Sequence, residues 1–207
     1  NFLYLMMTYG LILGVMNAYA NAIGIIALQY KYSSDATSLF GAVFIVGGLI
    51  GAGLFGGIVE TKKNYKCVVC IIATLTALTP IGMMFILLTN VTWEVALSAA
   101  VVGFSAIPIL PVGIDFGVEL THPVPESISS GLLLSMGQLF GIIFTLSTSV
   151  LITNLGDAGC IYGQVILICA GIVGFIFSLF IKEDLKRLNE ARAVANKSSE
   201  IIASESD

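Results

Sequence analysis

The sequence predicts an all-α membrane protein, a bundle of six transmembrane helices followed by a charged tail. Three observations carry this. Of the 207 residues, 57% are hydrophobic and 11% charged, whereas a soluble domain carries about 25% charged residues. The mean hydropathy is +0.99. The apolar residues gather into six runs, each long enough for the roughly 20 helical residues that cross a bilayer. The runs are about 2–30, 36–59, 67–89, 93–118, 126–153 and 160–181. Residues 1–181 therefore read as one membrane unit and 182–207 as a tail. So few charges cannot cover a water-facing surface, and the lipid bilayer is the first partner. The formal net charge of −4 is carried largely by the last residues and says little about other partners. No nucleic-acid partner is expected. The chain starts at Asn1 without a cleavable signal pattern, and its first run is too long for a signal-peptide core. It reads as beginning inside something larger.

The first run exceeds a simple span, so tilt or partial unwinding is expected. Its middle carries Asn17, Tyr19 and Asn21, with Gly10, Gly14 and Gly24 around them. Amides in hydrocarbon are costly unless paired. They either bond neighbouring helices or line a cavity through a flexible middle. The second run holds Gly41, Gly47, Gly48, Gly51, Gly53, Gly56 and Gly57. Its spacings Gly47-x-x-x-Gly51 and Gly53-x-x-x-Gly57 admit another backbone at close range. A polar link follows, with Glu60, Lys62, Lys63 and Lys66.

The third run is mildly interrupted by Pro80. The next link holds a glycosylation sequon, Asn90-Val-Thr92, so near two membrane ends that it is expected to be unoccupied. Trp93 reads as an interfacial anchor. The fourth run contains Pro108 and Pro111, which remove backbone donors and kink the helix. The kink aims Asp115 and Glu119 at a polar break. The fifth run opens on Pro125 and Glu126, a helix-start signal, and continues through Gly131, Ser135, Gly137, Gln138 and Gly141. In the tail, Ile181, Leu185 and Leu188 recur at helical spacing beside Lys186 and Arg187. That suggests a short amphipathic helix on the membrane surface, followed by a disordered acidic end.

Six spans put both ends on one side. Lys62, Lys63, Lys66, Lys182, Lys186, Arg187, Arg192 and Lys197 fall there, and Lys31 falls on the other. The positive-inside rule makes the first side cytosolic. The stretch 115–133 then faces the cytosol. It concentrates Asp115, Glu119 and Glu126 with the only histidine, His122, between two apolar runs.

These carboxylates lie at helix ends, whereas proton relays usually sit mid-membrane. They read best as a cytosolic gate that pairs with Lys62, Lys63 or a basic residue of a second half of the molecule. Gln138 is the leading candidate for a substrate contact, being an uncharged polar group inside an apolar span with glycines on both sides. Tyr9, Tyr19, Phe104, Phe140 and Phe144 can pack as core or form a cation–π wall for a quaternary ammonium. His122 is a weak candidate for an iron ligand of a heme. Cys67, Cys70, Cys160 and Cys169 fall in or beside apolar runs and read as small hydrophobes; no metal site is expected. No nucleophile–base pair, metal cluster or phosphate-binding loop appears at useful spacing. Neither an enzyme nor a cofactor is expected.

Six spans with glycine-rich interfaces, a basic link after the second and both ends inside resemble one half of a major facilitator transporter. More specifically, the pattern Pro111-x-Gly113-x-Asp115-Phe-x-Val-Glu-Leu-Thr-x-Pro123-x-x-Glu126-x-x-Ser-Ser-Gly-Leu-Leu133 resembles the C-terminal half of the feline leukemia virus subgroup C receptor family. Gln138-x-Phe-Gly-Ile-x-Phe-Thr145, Glu60-x-x-Lys63-x-Tyr65-Lys66 and Ile181-Lys-x-Asp-Leu-x-Arg187 resemble it too. The resemblance covers about residues 9–187. It implies facilitator-type transport linked to choline and ethanolamine import and to heme export. It implies a plasma-membrane location and a second six-helix half, in cis or as another subunit. The resemblance places a ligand-contacting glutamine at Gln138; together with the residue-level reading, the candidate substrate-binding residues are Gln138, Asn17, Tyr19, Asn21 and Phe104, and the candidate cytosolic gate is Asp115, Glu119, Glu126, Lys62 and Lys63. Three positions depart from the family pattern. His122 stands where an aromatic is common, Asp115 where Glu is frequent, and Asn17 where an aromatic near the choline site is expected. No acidic residue lies mid-span, which favours movement of solute down its gradient. A receptor or scaffold that kept the fold without transporting is the alternative from another class.

Overall fold

The computed structural model describes residues 1–86, 91–182, 186–187 and 189–190. It is built of helices, with no strand among the described residues. They are α1 Phe2–Gln29, α2 Ser34–Lys62, α3 Tyr65–Ile86, α4 Thr92–Ala106, α5 Ile109–Thr121, α6 Glu126–Leu155 and α7 Asp157–Leu179. Helices α4 and α5 together make one span, Thr92–Thr121, so six spans cross the membrane. Ser33 caps α2 by accepting from the Ala36 N–H at 3.2 Å. The hinge between α6 and α7 is Gly156 at φ 57°, a left-handed conformation that glycine adopts without steric cost.

The fourth span breaks where its prolines predict. Pro108 lacks the N–H that would bond Phe104, and the helix restarts at Ile109 with Leu110 N–H on the Ile107 carbonyl at 3.0 Å. Helix α3 supplies the polar cover for this break. Thr76 donates to the Ser105 carbonyl at 3.2 Å, and the Thr79 and Ser105 hydroxyls meet at 3.0 Å. Two expectations are corrected. Helix α1 is continuous from Phe2 to Gln29 with no unwound middle, and α3 runs through Pro80 without interruption. Arg187 and Glu190 are helical. Asn90 of the sequon, and Leu185 and Leu188 of the amphipathic pattern, lie outside the described residues.

Helix α1 packs between α6 and α7, and α4 between α2 and α3, while α3 against α7 joins the two groups. Two apolar cores fill the bundle end to end. One gathers Leu5, Tyr9, Phe55, Tyr65, Phe116, Leu120, Leu133 and Ile181 at the end carrying the polar break. The other gathers Tyr19, Ile26, Phe40, Phe44, Val95 and Leu167 at the opposite end. Met16 touches both, which puts the neighbouring Asn17 at their junction.

Glycine sets how closely these helices approach. A Cβ on Gly47 or Gly51 would strike the Ala100 or Phe104 carbonyl of α4, and one on Gly103 would strike the Phe44 carbonyl of α2. The α2–α4 crossing is therefore backbone against backbone. On the same helix, Gly53, Gly56 and Gly57 have nothing within 4 Å of an added Cβ. Thus Gly47-x-x-x-Gly51 is used inside the bundle, and Gly53-x-x-x-Gly57 faces out. Replacing Gly103 by Val is expected to cost about 1–3 kcal/mol by overpacking, whereas Gly57→Ala leaves the isolated bundle unchanged. Thermal unfolding of the detergent-solubilised protein distinguishes the two.

Candidate functional site

The sequence-derived candidates gather at two polar cavities of the bundle, one at mid-depth and one at the end that carries the break. The mid-depth cavity depends on the α1–α6 packing. A Cβ on Gly14 would lie 2.7 Å from the Phe140 side chain, one on Gly10 2.9 Å from Met136, and one on Gly141 2.8 Å from the Asn17 amide. Without side chains at these positions the two helices come close enough for Asn17 to face Gln138, with the amides 3.5 Å apart. Asn17 lies about 23 Å and about 18 Å from the two ends of α1 by helical rise, and Gln138 about 18 Å and about 26 Å from those of α6. Both are near the midplane.

Around this pair is a cavity of about 300 Å³ lined by Asn17, Asn21, Gln138, Gly141, Ile142, Thr145 and Leu146. Its polar chemistry is three amides and a hydroxyl. None of these lining residues is charged or aromatic. The Asn21 amide donates to the Asn17 backbone carbonyl at 2.8 Å, while the Asn17–Gln138 contact is at the long limit of a hydrogen bond. The amides therefore retain unspent donors and acceptors.

The sequence-derived site residues divide here. Asn17, Asn21 and Gln138 come together. Tyr19 does not join them, because two residues from Asn17 it faces the other side of α1. It is 1% exposed and donates its hydroxyl to Gln164 Oε1 at 2.6 Å. Phe104 does not line the cavity either; its ring lies 5.7 Å from that of Phe55. Nor does the aromatic wall form. Tyr9 is fully buried, and Phe140 and Phe144 stack on each other at 5.7 Å beside Gly14. Gln164 and Thr145 were not singled out from sequence. Gln164 had a signal, being a lone amide inside the last span.

The second cavity, of about 390 Å³, is lined by Glu60, Lys63, Tyr65, Asp115, Val118, Glu119, Glu126 and Arg187. Four helix ends build it. Lys63 closes α2 with φ 52°, its N–H on the Val59 carbonyl at 2.8 Å. Tyr65 at the start of α3 stacks on Phe116 of α5 at 5.5 Å. The Thr121 and Ser129 hydroxyls bond across the turn from α5 to α6. Asp115, Glu119, Glu126 and Lys63 thus meet as the sequence implied, whereas Lys62 is exposed and does not line the pocket. Glu60, Tyr65 and Arg187 join it unforeseen as members. His122 Nδ1 lies 3.0 Å from Glu190 Oε2.

No protein-family model matches the chain. Curated relatives do. It is 32% identical over 188 residues to the choline/ethanolamine transporter FLVCR2 of Rattus norvegicus, covering 90% of this chain and 34% of that protein. It is 32% identical over 196 residues to the choline/ethanolamine transporter FLVCR1 of Felis catus, covering 94% of this chain and 34% of that protein. It is 30% identical over 191 residues to an uncharacterized MFS-type transporter of Caenorhabditis elegans, covering 90% of this chain and 32% of that protein. The chain spans about a third of the length of the curated relatives it matches. Similarity across nine-tenths of its length, together with six apolar spans, makes the chain similar to one six-helix half of these FLVCR and MFS-type transporters.

Proposed function

We propose that this chain is one half of a transporter that carries a small organic solute by alternating access. Residues 1–181 form the six-helix membrane unit, and 182–207 the tail. The solute is a choline- or ethanolamine-type cation, as the names of the relatives suggest, and it moves down its gradient, since no acidic residue lies mid-span to couple it to protons. The observation that carries this reading is the uncharged amide cavity at mid-depth between α1 and α6. Transporter sites lie near the midplane at the interface of repeated units. Amides there offer hydrogen bonds to a hydroxyl or amino group without fixing the solute by a full charge.

A second six-helix body, in cis or as another subunit, completes the site. Two spans support this. The Phe2–Ala27 window is 67% buried and Thr92–Thr121 is 61% buried, whereas Ser34–Lys62 and Glu126–Leu155 are each 28% buried. The helices with open faces, α2 and α6, are those with the unused Gly53, Gly56 and Gly57 and with the amide Gln138. A cation's charge is met from the missing side, since no lining residue here supplies a carboxylate or a ring. The pocket of Asp115, Glu119, Glu126 and Lys63 serves as the gate, on the side assigned to the cytosol by the positive-inside rule. A plasma-membrane location is part of this reading. Heme or another organic solute is the alternative cargo, and a non-transporting receptor or scaffold is the alternative role.

Radiolabelled choline uptake by cells expressing the full-length protein tests this. Replacing Gln138 by Ala is expected to lower uptake about two- to tenfold at equal surface abundance, the range of one hydrogen bond. Undiminished uptake would remove Gln138 from the site. No uptake of choline, ethanolamine or a porphyrin by well-expressed parent protein would favour the scaffold. Gly141→Ala is expected to raise KM more than it lowers the maximal rate, because its methyl displaces the Asn17 amide. An unchanged KM would contradict that geometry.

A further inference from the structure

We propose that Lys31 is a charge filter at the mouth of the α1–α6 seam, on the end of the bundle away from the polar break. It disfavours a cationic solute there and admits a neutral or anionic one. This rests on reading the mid-depth cavity as the solute site.

The seam carries a second cavity. About 510 Å³ in volume, it is lined by Ile25, Gln29, Lys31, Ile152 and Thr153. Its walls continue those of the mid-depth cavity. On α1, Asn17, Asn21, Ile25 and Gln29 recur every four residues, and on α6, Gln138, Thr145 and Ile152 recur every seven. Both spacings keep residues along one helix face. A solute that leaves the amides along the seam therefore passes Lys31.

The turn after α1 holds this lysine in place. Its backbone is left-handed, at φ 57°, a conformation that glycine or asparagine adopts at lower cost. The Tyr32 N–H reaches back to the Ala27 carbonyl at 2.9 Å and closes the turn. The Tyr32 ring then packs edge-on against Phe40 of α2, with centroids 5.4 Å apart. Among the described residues, Lys63 is the other non-glycine residue in this conformation, and it too follows a helix end and lines a cavity, at the opposite end of the bundle. At both ends a costly turn presents a lysine to a cavity.

Lys31 is the one charged residue in the lining of its cavity. Asp157, at the start of α7, accepts instead from the Gln29 amide at 3.0 Å. Among the described residues Lys31 forms no ion pair. Its charge reaches over about 8 Å at physiological salt. Asn17 lies about 18 Å from Gln29 by helical rise, so Lys31 acts on passage through the mouth and leaves the mid-depth amides alone. A monocation meets a barrier here in both directions, and a solute bearing a carboxylate or phosphate meets none.

A Thr153→Cys reporter in the outer cavity tests the filter, in the full-length protein purified into lipid nanodiscs. Two thiosulfonate reagents probe it, one bearing a trimethylammonium group and the other a sulfonate. The protein without Thr153→Cys gives the background from its own cysteines. Adding Lys31→Asn, which suits the left-handed turn, is expected to speed the cationic reagent about two- to fivefold and to slow the anionic one by a similar factor, as one charge a few ångströms away in water requires. Lys31→Glu is expected to go further in the same direction, and Lys31→Arg to match the parent. The differences are expected to shrink in about 1 M salt, where a charge reaches only about 3 Å. Lys31→Gln serves if Lys31→Asn does not fold. The same ratio of cationic to anionic rates in parent and variant overturns the proposal, as does a change that high salt leaves undiminished. A salt-sensitive change of ratio in a protein that takes up no solute would leave the filter standing and remove only the transport reading.

Discussion

Inside a bilayer the helices gain nothing from leaving water, so their association depends on how closely their backbones meet. Glycine meets that constraint at two crossings. Gly47, Gly51 and Gly103 let α2 and α4 touch carbonyl to Cα, and Gly10, Gly14, Gly137 and Gly141 let α1 and α6 do nearly the same. The first crossing holds the bundle. The second also sets the separation at which Asn17 and Gln138 face each other. The geometry of the candidate site is thus a direct consequence of the packing.

Polar groups in the spans follow a second rule, that each must find a partner or line a space. Thr8 donates to the Gly174 carbonyl at 3.2 Å, and Tyr19 to Gln164 at 2.6 Å. Both tie α1 to α7. Thr76 and Thr79 cover the broken backbone at Ser105. Some buried polar atoms stay unpaired, among them the Tyr9 hydroxyl and Gln164 Nε2; the amides of Asn17 and Gln138 differ in facing a cavity. The break in the fourth span has its own consequence. It lets α5 take a direction separate from α4, bringing Asp115 and Glu119 to the ends of α2 and α6, where charge can gather beside the membrane.

Much of the fold was legible in the sequence, because length, hydropathy and glycine spacing are one-dimensional signals. The six spans, the division at Pro108 and the grouping of Asp115, Glu119 and Glu126 with Lys63 could be read there. Which face of a helix a residue occupies was harder. Asn17 and Tyr19 are two positions apart, about 200° around α1, so they could not share a cavity on a continuous helix. Expecting a flexible middle hid that conflict. Lys62 and Lys63 were also inseparable by sequence. The left-handed turn at Lys63 carries that side chain to the pocket and leaves its neighbour outside. Arg187 was noted for its charge and as the end of a tail motif but not as a pocket residue, since no local pattern shows a tail residue returning to the end of α2.

The central claim is that the α1–α6 cavity receives the solute. Equilibrium binding of radiolabelled choline to the purified full-length protein in lipid nanodiscs tests it most directly, comparing the parent with the Asn17→Ala, Gln138→Ala double variant. The account predicts saturable binding that ethanolamine competes away and that the double variant weakens about tenfold or more, as two lost hydrogen bonds require. Saturable binding of equal affinity in the folded double variant would place the solute elsewhere and contradict the account.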